Sequence, residues 1–295
     1  MALDPKPPSP RAGPRAVEWF LVAYLGFTTV VGLIRLRSEP AIAWVLVANL
    51  LVAVLVLVFL AASNRMGPAG LSLRELYPLL LLTALYPAID ILNRFGGIST
   101  YDVMVQGWDR NLFGGQVSRT WWQTEPSIFW STVFHAAYLA YYPIVAAPVL
   151  VFLGSGRLSD VRRSVAWLLA TFLLCYAVFL LFPVAGPYYE FSRPAAWFIA
   201  NAPARLVYAT LGQGSAYGAA FPSSHVAATV VATAAAFRGS TRLGWILLGP
   251  AVLLVVGVVY CQMHYGVDAL AGVLVGSGVV IAGTRLDQRQ GPAPG

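Results

Sequence analysis

The stretch that decides the fold is residues 41–62, AIAWVLVANLLVAVLVLVFLAA, in which Asn49 is the only strongly polar side chain. About 20 consecutive apolar residues are needed for a helix to cross the hydrocarbon core of a bilayer. The rest of the chain is similar: 58% of its 295 residues are hydrophobic, 11% are charged, and the mean hydropathy is +0.70. Soluble domains carry about 25% charged residues. This composition predicts an integral membrane protein and excludes a water-soluble globule.

Eight stretches have the length and composition of a membrane span. They are Val17–Ile34, Ala41–Ala62, Leu76–Asn93, Ile128–Leu153, Val165–Pro183, Phe221–Phe237, Leu243–Tyr260 and His264–Gly283. The third carries Pro78, Pro87 and Asp90, so a kinked or partly interfacial segment is the alternative there. The sequence therefore predicts an all-α, polytopic membrane helix bundle with about eight transmembrane helices.

Composition also divides the chain into segments. Residues 1–16 and 286–295 are rich in proline and polar residues, and they are predicted to be disordered cytoplasmic tails. Residues 17–75 hold two extra N-terminal spans, and residues 76–285 hold the other six as a core. A cleaved signal peptide ending near 41–43 is the alternative for the first span, but the apolar run is long for such a signal.

The basic residues are interpreted as topology signals. The 18 arginines and one lysine are scattered between apolar runs, which does not support a nucleic-acid partner despite the net charge of +7. With the N-terminus inside, the inside segments carry Lys and Arg at more than twice the density of the outside segments. Cytoplasmic loops carry such an excess, so both termini are predicted to be cytoplasmic. The long loops 94–127 and 184–220 then lie on the extracytoplasmic side.

His225 lies in FPSSHVAAT, at the start of the sixth predicted span. Pro222, Ser223 and Ser224 precede it, and these residue types are typical of a helix start. A helix N-terminus offers free N–H groups and a partial positive charge, which together bind anions such as phosphate. Two interpretations stay open: an anion site that includes His225, or a plain helix cap beside an interfacial histidine.

His264 lies in CQMHYGVDALAG, at the start of the eighth predicted span, and Asp268 follows four residues later. On a helix this spacing places both side chains on one face. The carboxylate can then accept the Nδ1 proton and leave Nε2 as a nucleophile. Ionisable groups are rarely kept in a bilayer without use, so a functional pair is favoured over a structural one. The predicted topology puts His225 and His264 at the same, extracytoplasmic, surface.

The other chemically distinctive residues favour structural roles. His135 lies inside the fourth span, where a hydrogen bond to a neighbouring helix is favoured over a direct role. Cys175 and Cys261 make neither a disulfide framework nor a zinc motif, and no metal or cofactor is predicted. Gly272-x-x-x-Gly276 in the last span predicts a close approach to the sixth span, which is rich in small residues.

FPSSH followed by HYGVD resembles the second and third signature motifs of the type 2 phosphatidic acid phosphatase superfamily. The HY-x-x-D form, the sequence AAFPSSH and the loop WDRNLFGG are most similar to the branch containing inositol phosphorylceramide synthases. The resemblance covers about residues 76–283 and leaves the first two spans unexplained. It implies a six-helix, phosphatase-like catalytic core that acts on a lipid phosphate or phospholipid in the membrane bilayer.

The resemblance also implies a mechanism. His264 would attack phosphorus and form a phosphohistidine, Asp268 would orient it, and His225 would protonate the leaving oxygen. His225 would then activate water or an acceptor alcohol. The implied phosphate-binding residues are Ser223, Ser224 and Arg193.

The chain departs from the family pattern at two cationic positions. The first motif has a Lys separated by six residues from Arg-Pro, and here only the Arg-Pro pair at Arg193 remains, with Gly186 in place of the Lys. The Arg that precedes the nucleophilic histidine by six residues in the phosphatases is Val258 here. These losses fit a transferase with an alcohol acceptor better than simple hydrolysis. Arg119 and Arg205 are further candidates for the missing cation.

Two other classes of protein fit the sequence less well than an enzyme. A transporter would place charges deep in several spans, and only Asp90 fits that description. A haem or metal protein would need a third ligand beside His264 and Asp268, and His135 lies too deep to supply it easily. The sequence therefore favours an intramembrane lipid phosphatase or phosphotransferase, with water or an alcohol as the acceptor.

Overall fold

The computed structural model describes residues 15–37, 39–94 and 98–290. These residues form α-helices joined by turns and loops, with one isolated parallel bridge between Val184 and Ala219. The helices are α1 (Ala16–Arg35), α2 (Ile42–Ala62), α3 (Pro68–Arg94), α4 (Asp102–Phe113), α5 (Val117–Thr124), α6 (Ile128–Leu139), α7 (Tyr141–Gly154), α8 (Leu158–Leu181), α9 (Pro187–Glu190), α10 (Ala202–Gly214), α11 (Ser224–Gly239), α12 (Thr241–Tyr260) and α13 (Gly266–Gln290). The predicted all-α helix bundle is confirmed.

Seven helical segments of the described chain are long and apolar enough to cross a membrane. They are Ala16–Arg35, Ile42–Ala62, Ala69–Arg94, Ile128–Gly154, Leu158–Leu181, Thr241–Tyr260 and Gly266–Arg289. The third prediction is among them, as one helix that contains Pro78 and Pro87. The fourth is α6 and α7 placed end to end. The protein is therefore a multi-pass membrane protein.

The remaining predicted span corresponds to α11, whose 16 residues are fewer than the roughly 20 that a typical span needs. The start of α11 lies at the N-terminus of α13, where the N–H of Ser223 donates to the carbonyl of Asp268 at 3.0 Å. At the other end, the carbonyl of Gly239 accepts from Arg157, which lies between α7 and α8, at 2.7 Å. The short helix thus runs between the two ends of the bundle.

The central position of α11 follows from its small side chains. It packs against α7, α8, α12 and α13, and most of its residues are buried. A Cβ added to Gly272 would lie 2.6 Å from the carbonyl oxygen of Ser223, and one added to Gly276 would lie 2.7 Å from that of Ala227. The predicted close approach of α13 and α11 is confirmed, since these two glycines leave no room for a side chain.

The two N-terminal spans belong to the same bundle as the core. Helix α1 packs against α2, α3 and α8, and its buried Glu18 pairs with Arg74 of α3 at 2.8 Å. At the opposite end of α1, Arg35 donates to the carbonyls of Leu92 at 3.1 Å and Leu180 at 2.9 Å. The guanidinium therefore caps the C-terminal ends of α3 and α8, where these carbonyl oxygens would otherwise lack a donor.

Two predicted boundaries differ from the structure. The division at 75/76 falls inside α3, because the helix already begins at Pro68. The predicted C-terminal tail begins at 286, but α13 continues to Gln290. The other tail residues, 1–14 and 291–295, lie outside the described part of the chain.

Candidate active site

The two histidine motifs of the sequence, FPSSH and HYGVD, meet at one end of the bundle. The imidazole rings of His225 and His264 lie 5.8 Å apart between centroids. His225 sits in the first turn of α11, and His264 sits in the turn between α12 and α13. The prediction that both histidines lie at the same surface of the bundle is confirmed.

Ser223 builds the start of α11. It is the N-cap residue, and its Oγ accepts from the N–H of Val226 at 3.3 Å. Both Ser223 and Ser224 are buried. The first N–H groups of any helix lack partners within that helix, so this end of α11 has the donors and the partial positive charge that an anion needs.

The surroundings of His264 fix the position of its proton. Nδ1 lies 3.1 Å from the carbonyl oxygen of Ala220 and 3.5 Å from Oδ2 of Asp268. A carbonyl oxygen can only accept, so Nδ1 carries the proton and Nε2 carries the lone pair. Burial lowers the pKa of His264 to about 4. The ring is therefore neutral near pH 7, which is the state that a nucleophile requires.

Asp268 supports His264 differently from the predicted arrangement. The prediction put both side chains on one helical face, but α13 begins at Gly266, after His264. The carboxylate instead turns back over the helix start, where Oδ2 accepts from the N–H of Tyr265 at 2.9 Å. The other oxygen, Oδ1, is buried and has no hydrogen-bond partner within the described residues. The pairing with His264 thus comes from a turn and not from helical spacing.

His225 is held by aromatic rings. It stacks on Tyr138 at 5.0 Å between ring centroids and contacts Tyr141 at 4.5 Å. Its Nε2 lies 3.3 Å from the hydroxyl of Tyr138. Its Nδ1 is buried and has no partner among the residues that the structure describes. The sequence gave no indication of Tyr138 as a partner, because 87 residues separate it from His225.

The predicted cation is displaced from the histidines. Arg193 is exposed, and its guanidinium packs over the rings of Tyr188 and Tyr208 at 5.8 and 5.7 Å. The alternatives are likewise exposed: Arg119 lies over the ring of Phe191 at 5.7 Å, and Arg205 lies on the outer side of α10. The structure brings His225, His264, Asp268, Ser223 and Ser224 together, whereas the contacts of Arg193 are with Tyr188 and Tyr208.

Gly186 and Val258, which stand where the phosphatase motifs carry a cation, have structural roles in this fold. Gly186 adopts a φ of +88°, and a Cβ there would lie 2.7 Å from the Cβ of Ala220. Val258 is buried, and its carbonyl accepts from the N–H groups of Met263 and His264, at 2.9 Å each. A lysine does not fit the backbone at the first position, and the second lies inside the packed bundle.

His135 stands apart from the pair. It is fully buried, and its Nδ1 lies 2.7 Å from the carbonyl of Ser131 and 3.4 Å from Sγ of Cys261. The contact with Cys261 ties α6 to the end of α12, as expected for a structural histidine. Within the described residues, no group of three or more His, Cys, Asp or Glu side chains is arranged to hold a metal ion.

Two buried carboxylates on α4 were missed by the sequence analysis. Asp109 accepts from the N–H of Val267 at 2.9 Å and of Gly266 at 3.2 Å. It therefore caps α13 directly after the His264 turn. Burial raises the pKa of Asp109, and these two backbone hydrogen bonds oppose the rise.

Asp102 likewise accepts backbone hydrogen bonds, here from the loop 184–186 at the position of the first motif. Its carboxylate accepts from the N–H groups of Ala185 and Gly186, at 2.8 Å each, and from the hydroxyl of Tyr265 at 2.9 Å. One side chain thus fixes both the 184–186 loop and the residue that follows His264. A spacing of seven residues between Asp102 and Asp109 on an amphipathic helix was the available signal, since it places them on one face.

The segment that leads into α11 is held by the end of α3. Asp90 accepts from the N–H of Tyr217 at 2.7 Å and pairs with Arg94 at 3.1 Å. Asn93 donates to the carbonyls of Tyr217 and Phe179, at 3.1 Å each. Asp90 is therefore part of a local network near the site and not a charge at the midplane, which removes the observation that favoured a transporter.

One known family matches the part of the chain that carries the two histidines. A family model described as the PAP2 superfamily matches residues 105–282, which is more than half of the chain and includes both histidines and Asp268. No curated protein and no solved structure matches the chain significantly. The chain therefore belongs to the PAP2 superfamily, the type 2 phosphatidic acid phosphatases, and this membership supports a lipid phosphatase or phosphotransferase kind of function.

Proposed function

We propose that this protein transfers a phosphoryl group from a lipid phosphate or phospholipid through a phosphohistidine formed on His264. The observation that carries the proposal is the meeting of His264 and His225 beside the N-terminus of α11. One histidine is neutral with its lone pair on Nε2, and the other lies within reach of the same small volume. A nucleophile, a proton donor and an anion-binding helix end are the parts that this reaction requires.

In the first step, Nε2 of His264 attacks phosphorus and the bond to the leaving oxygen breaks. His225 enters this step protonated and donates that proton to the leaving oxygen, so an alcohol departs and a neutral His225 remains. In the second step His225 takes a proton from water, whose oxygen attacks the phosphohistidine, and the P–N bond breaks to release phosphate. The carbonyl of Ala220 accepts the hydrogen bond from Nδ1, and Asp268, whose Oδ2 lies 3.5 Å from Nδ1, stabilises the positive charge that His264 carries between the steps.

The phosphate oxygens are assigned to Ser223, Ser224 and the first N–H groups of α11. Phosphoryl transfer depends mainly on positioning and charge stabilisation, so a cation is expected as well. Arg193 is the first candidate, because it lies in the loop that replaces the first motif. It must leave the rings of Tyr188 and Tyr208 to reach the histidines.

A second candidate function is head-group transfer, in which an alcohol takes the place of water. The observation that favours it is the absence of charge at Gly186 and Val258, where phosphatases of the family carry cations. The resemblance to inositol phosphorylceramide synthases points to the same reaction class. The residues in the first step are the same for both functions, so the acceptor alone separates them.

The site is proposed to face the extracytoplasmic side, with both termini in the cytoplasm. The support is the excess of Lys and Arg in the segments at the opposite end of the bundle. Accessibility labelling of single cysteines introduced at Arg119 and at Arg285, in intact cells, tests this orientation. Labelling at 119 but not at 285 is expected, and the reverse pattern contradicts it.

The deciding experiment is phosphate release from lipid phosphates by detergent-purified protein, with and without alcohol acceptors. His264→Gln is expected to abolish turnover, and His135→Gln serves as the matched histidine control outside the site. Trapping with substrate carrying labelled phosphate should give an acid-labile phosphoprotein in wild type and none in His264→Gln. Equal turnover in wild type and His264→Gln contradicts the proposal. Release of the lipid alcohol only when an acceptor alcohol is present identifies a transferase.

A further inference from the structure

A cavity of about 520 Å³ opens directly beneath the histidine site. His225 and Ser224 line one end of it, beside Tyr138 and Tyr141. Below them the walls come from α3, α7, α8 and α10 and are mostly apolar, with a few tyrosine, threonine and serine hydroxyl groups. The apolar lining residues include Leu76, Leu79, Leu82, Val145, Val149 and Phe172. Volumes of this size are typical of ligand sites.

The cavity extends along the bundle. Its lining on α3 runs from Leu76 to Tyr86, and ten helical residues rise by about 15 Å. Along α7 it reaches from Tyr141 to Leu150, which is a similar depth. A volume with a polar end at His225 and a long apolar remainder matches a molecule that has a polar head and a hydrocarbon chain.

The cavity also has an opening in the side of the bundle. Three of its lining residues are exposed on the outer surface: Leu80 of α3 at 60%, and Tyr142 and Leu150 of α7 at 55% and 59%. In a multi-pass membrane protein this surface faces lipid. The opening between α3 and α7 therefore connects the histidine site with the hydrocarbon region of the bilayer.

We propose that this cavity holds the hydrocarbon chain of the lipid whose phosphate reacts at His264, that the chain enters sideways between α3 and α7, and that the far wall limits its length. The inference rests on the proposed function, because it assigns the chain of the same substrate. A water-soluble phosphate ester gains nothing from such walls, whereas each buried methylene group stabilises a bound chain. Helix α3, which forms one wall of the cavity, precedes the residues that the family model matches.

The test is chain-length selectivity on a series of monoalkyl phosphates. Val149 is 4% exposed and lines the far part of the cavity, while Val151, on the same helix, is 45% exposed and does not line it. Val149→Trp is expected to lower kcat/KM for the longest chains by about tenfold or more, since the added ring displaces several methylene groups, and to leave the shortest chains nearly unchanged. Val151→Trp is the matched control and should show the wild-type length profile.

If Val149→Trp does not fold, Ala146→Leu narrows the same cavity with a smaller side chain. An unchanged length profile in a folded cavity variant overturns the inference while leaving the proposed phosphoryl transfer intact. A second readout does not need turnover: an alkyl phosphate with a photoreactive group at the end of its chain should label α3 or α7 near Leu76 and Val149.

Labelling confined to helices that do not line the cavity contradicts the inference. So does labelling that an alkyl alcohol without phosphate displaces as well as an alkyl phosphate does, because that result indicates a site for bulk lipid. If wild type turns over no alkyl phosphate but the labelling maps to the cavity, the proposed reaction fails and the chain site stands.

Discussion

The carboxylate of Asp109 on α4 lies 2.9 Å from the backbone nitrogen of Val267 on α13. This contact joins a helix of the long loop 98–127 to the turn that carries His264, across 158 residues of sequence. The same carboxylate also accepts from Gly266. Asp109 is therefore a cap for a helix to which it does not belong.

Asp109→Ala is expected to destabilise the protein by about 1 to 2 kcal/mol, since it removes a helix cap whose donors are buried. Activity should fall as well, because the His264 turn loses its anchor. Thermal unfolding in detergent and turnover measure the two effects. Arg110→Ala, at the neighbouring exposed position, is the control. Equal unfolding temperatures for the two variants would show that the cap contributes nothing.

Gly186→Lys is expected to fail as a restoration of the family cation. The backbone there has a φ of +88°, and a Cβ would lie 2.7 Å from that of Ala220. Strain of this kind costs about 1 to 3 kcal/mol, so reduced folded yield and a lower unfolding temperature are expected. Gly212→Ala is the control, because a Cβ at Gly212 meets nothing within 4 Å. A gain of activity in Gly186→Lys would contradict this account.

Tyr138→Phe keeps the ring that stacks on His225 and removes the hydroxyl 3.3 Å from its Nε2. A fall in kcat of about two- to tenfold is expected, corresponding to the roughly 0.5–1.5 kcal/mol of one hydrogen bond, together with a shifted limb in the pH profile of kcat. Tyr142→Phe, on the outer face of the same cavity, should leave that limb in place. If the pH profile of kcat has the same limb in Tyr138→Phe as in wild type, the hydroxyl of Tyr138 does not influence the protonation of His225.

Asp268→Asn is expected to lower kcat by about 10²–10⁴-fold, since an amide no longer stabilises the charged His264 between the two steps. The amide has nearly the volume of the carboxylate, so the folded yield should change less than the rate. Burst kinetics in a rapid-quench experiment separate phosphohistidine formation from its breakdown. The smallest expected loss is about 100-fold. A kcat within about threefold of the wild-type value would therefore show that Asp268 has no part in the mechanism.

The pH dependence of kcat/KM should carry an acid limb below the range of an ordinary histidine. Protonated His264 has no lone pair on Nε2, and burial lowers its pKa to about 4. The nucleophile is therefore neutral above that pH, and its loss appears only as the pH falls toward 4. Because a phosphate monoester itself titrates near pH 6, the profile must be taken with two substrates of different phosphate pKa. A limb near 6.5 with both would contradict the assigned burial.

Much of the fold was predictable because hydrophobic run length depends on local sequence alone. The uninterrupted stretch 41–62 became α2, and the glycine pair in α13 packs on α11 as its spacing indicated. The histidines were paired correctly because alternating helices put His225 and His264 at one end of the bundle. The glycine spacing and the number of membrane crossings are both properties of the sequence, so they can be determined without knowing any tertiary contact.

The parts that were missed depend on contacts between distant segments. Tyr138, Asp102 and Asp109 gain their roles only when α4 and α6 meet the two histidine turns. The spacing of Asp102 and Asp109 indicates a shared helical face, but it does not say which segments that face contacts. The geometry of His264 and Asp268 was wrong in detail because Gly266 starts α13 later than the apolar run suggests. Arg193 was chosen from its place in a motif, and its side chain lies against tyrosine rings instead.

The hydrogen bonds from Arg35 to the ends of α3 and α8 bear on how the protein can be divided. Residues 105–282 match the family model, which invites the view that they form a self-sufficient module with two dispensable helices in front. Yet Asn93 donates to the carbonyl of Tyr217, in the segment that leads to His225, and Arg35 donates in turn to Oδ1 of Asn93 at 3.2 Å. Both residues lie upstream of the matched region. A protein truncated to residues 105–282 would lack the residues that position its own reactive centre. The segment needed for an intact site is therefore longer than the segment that the family model matches.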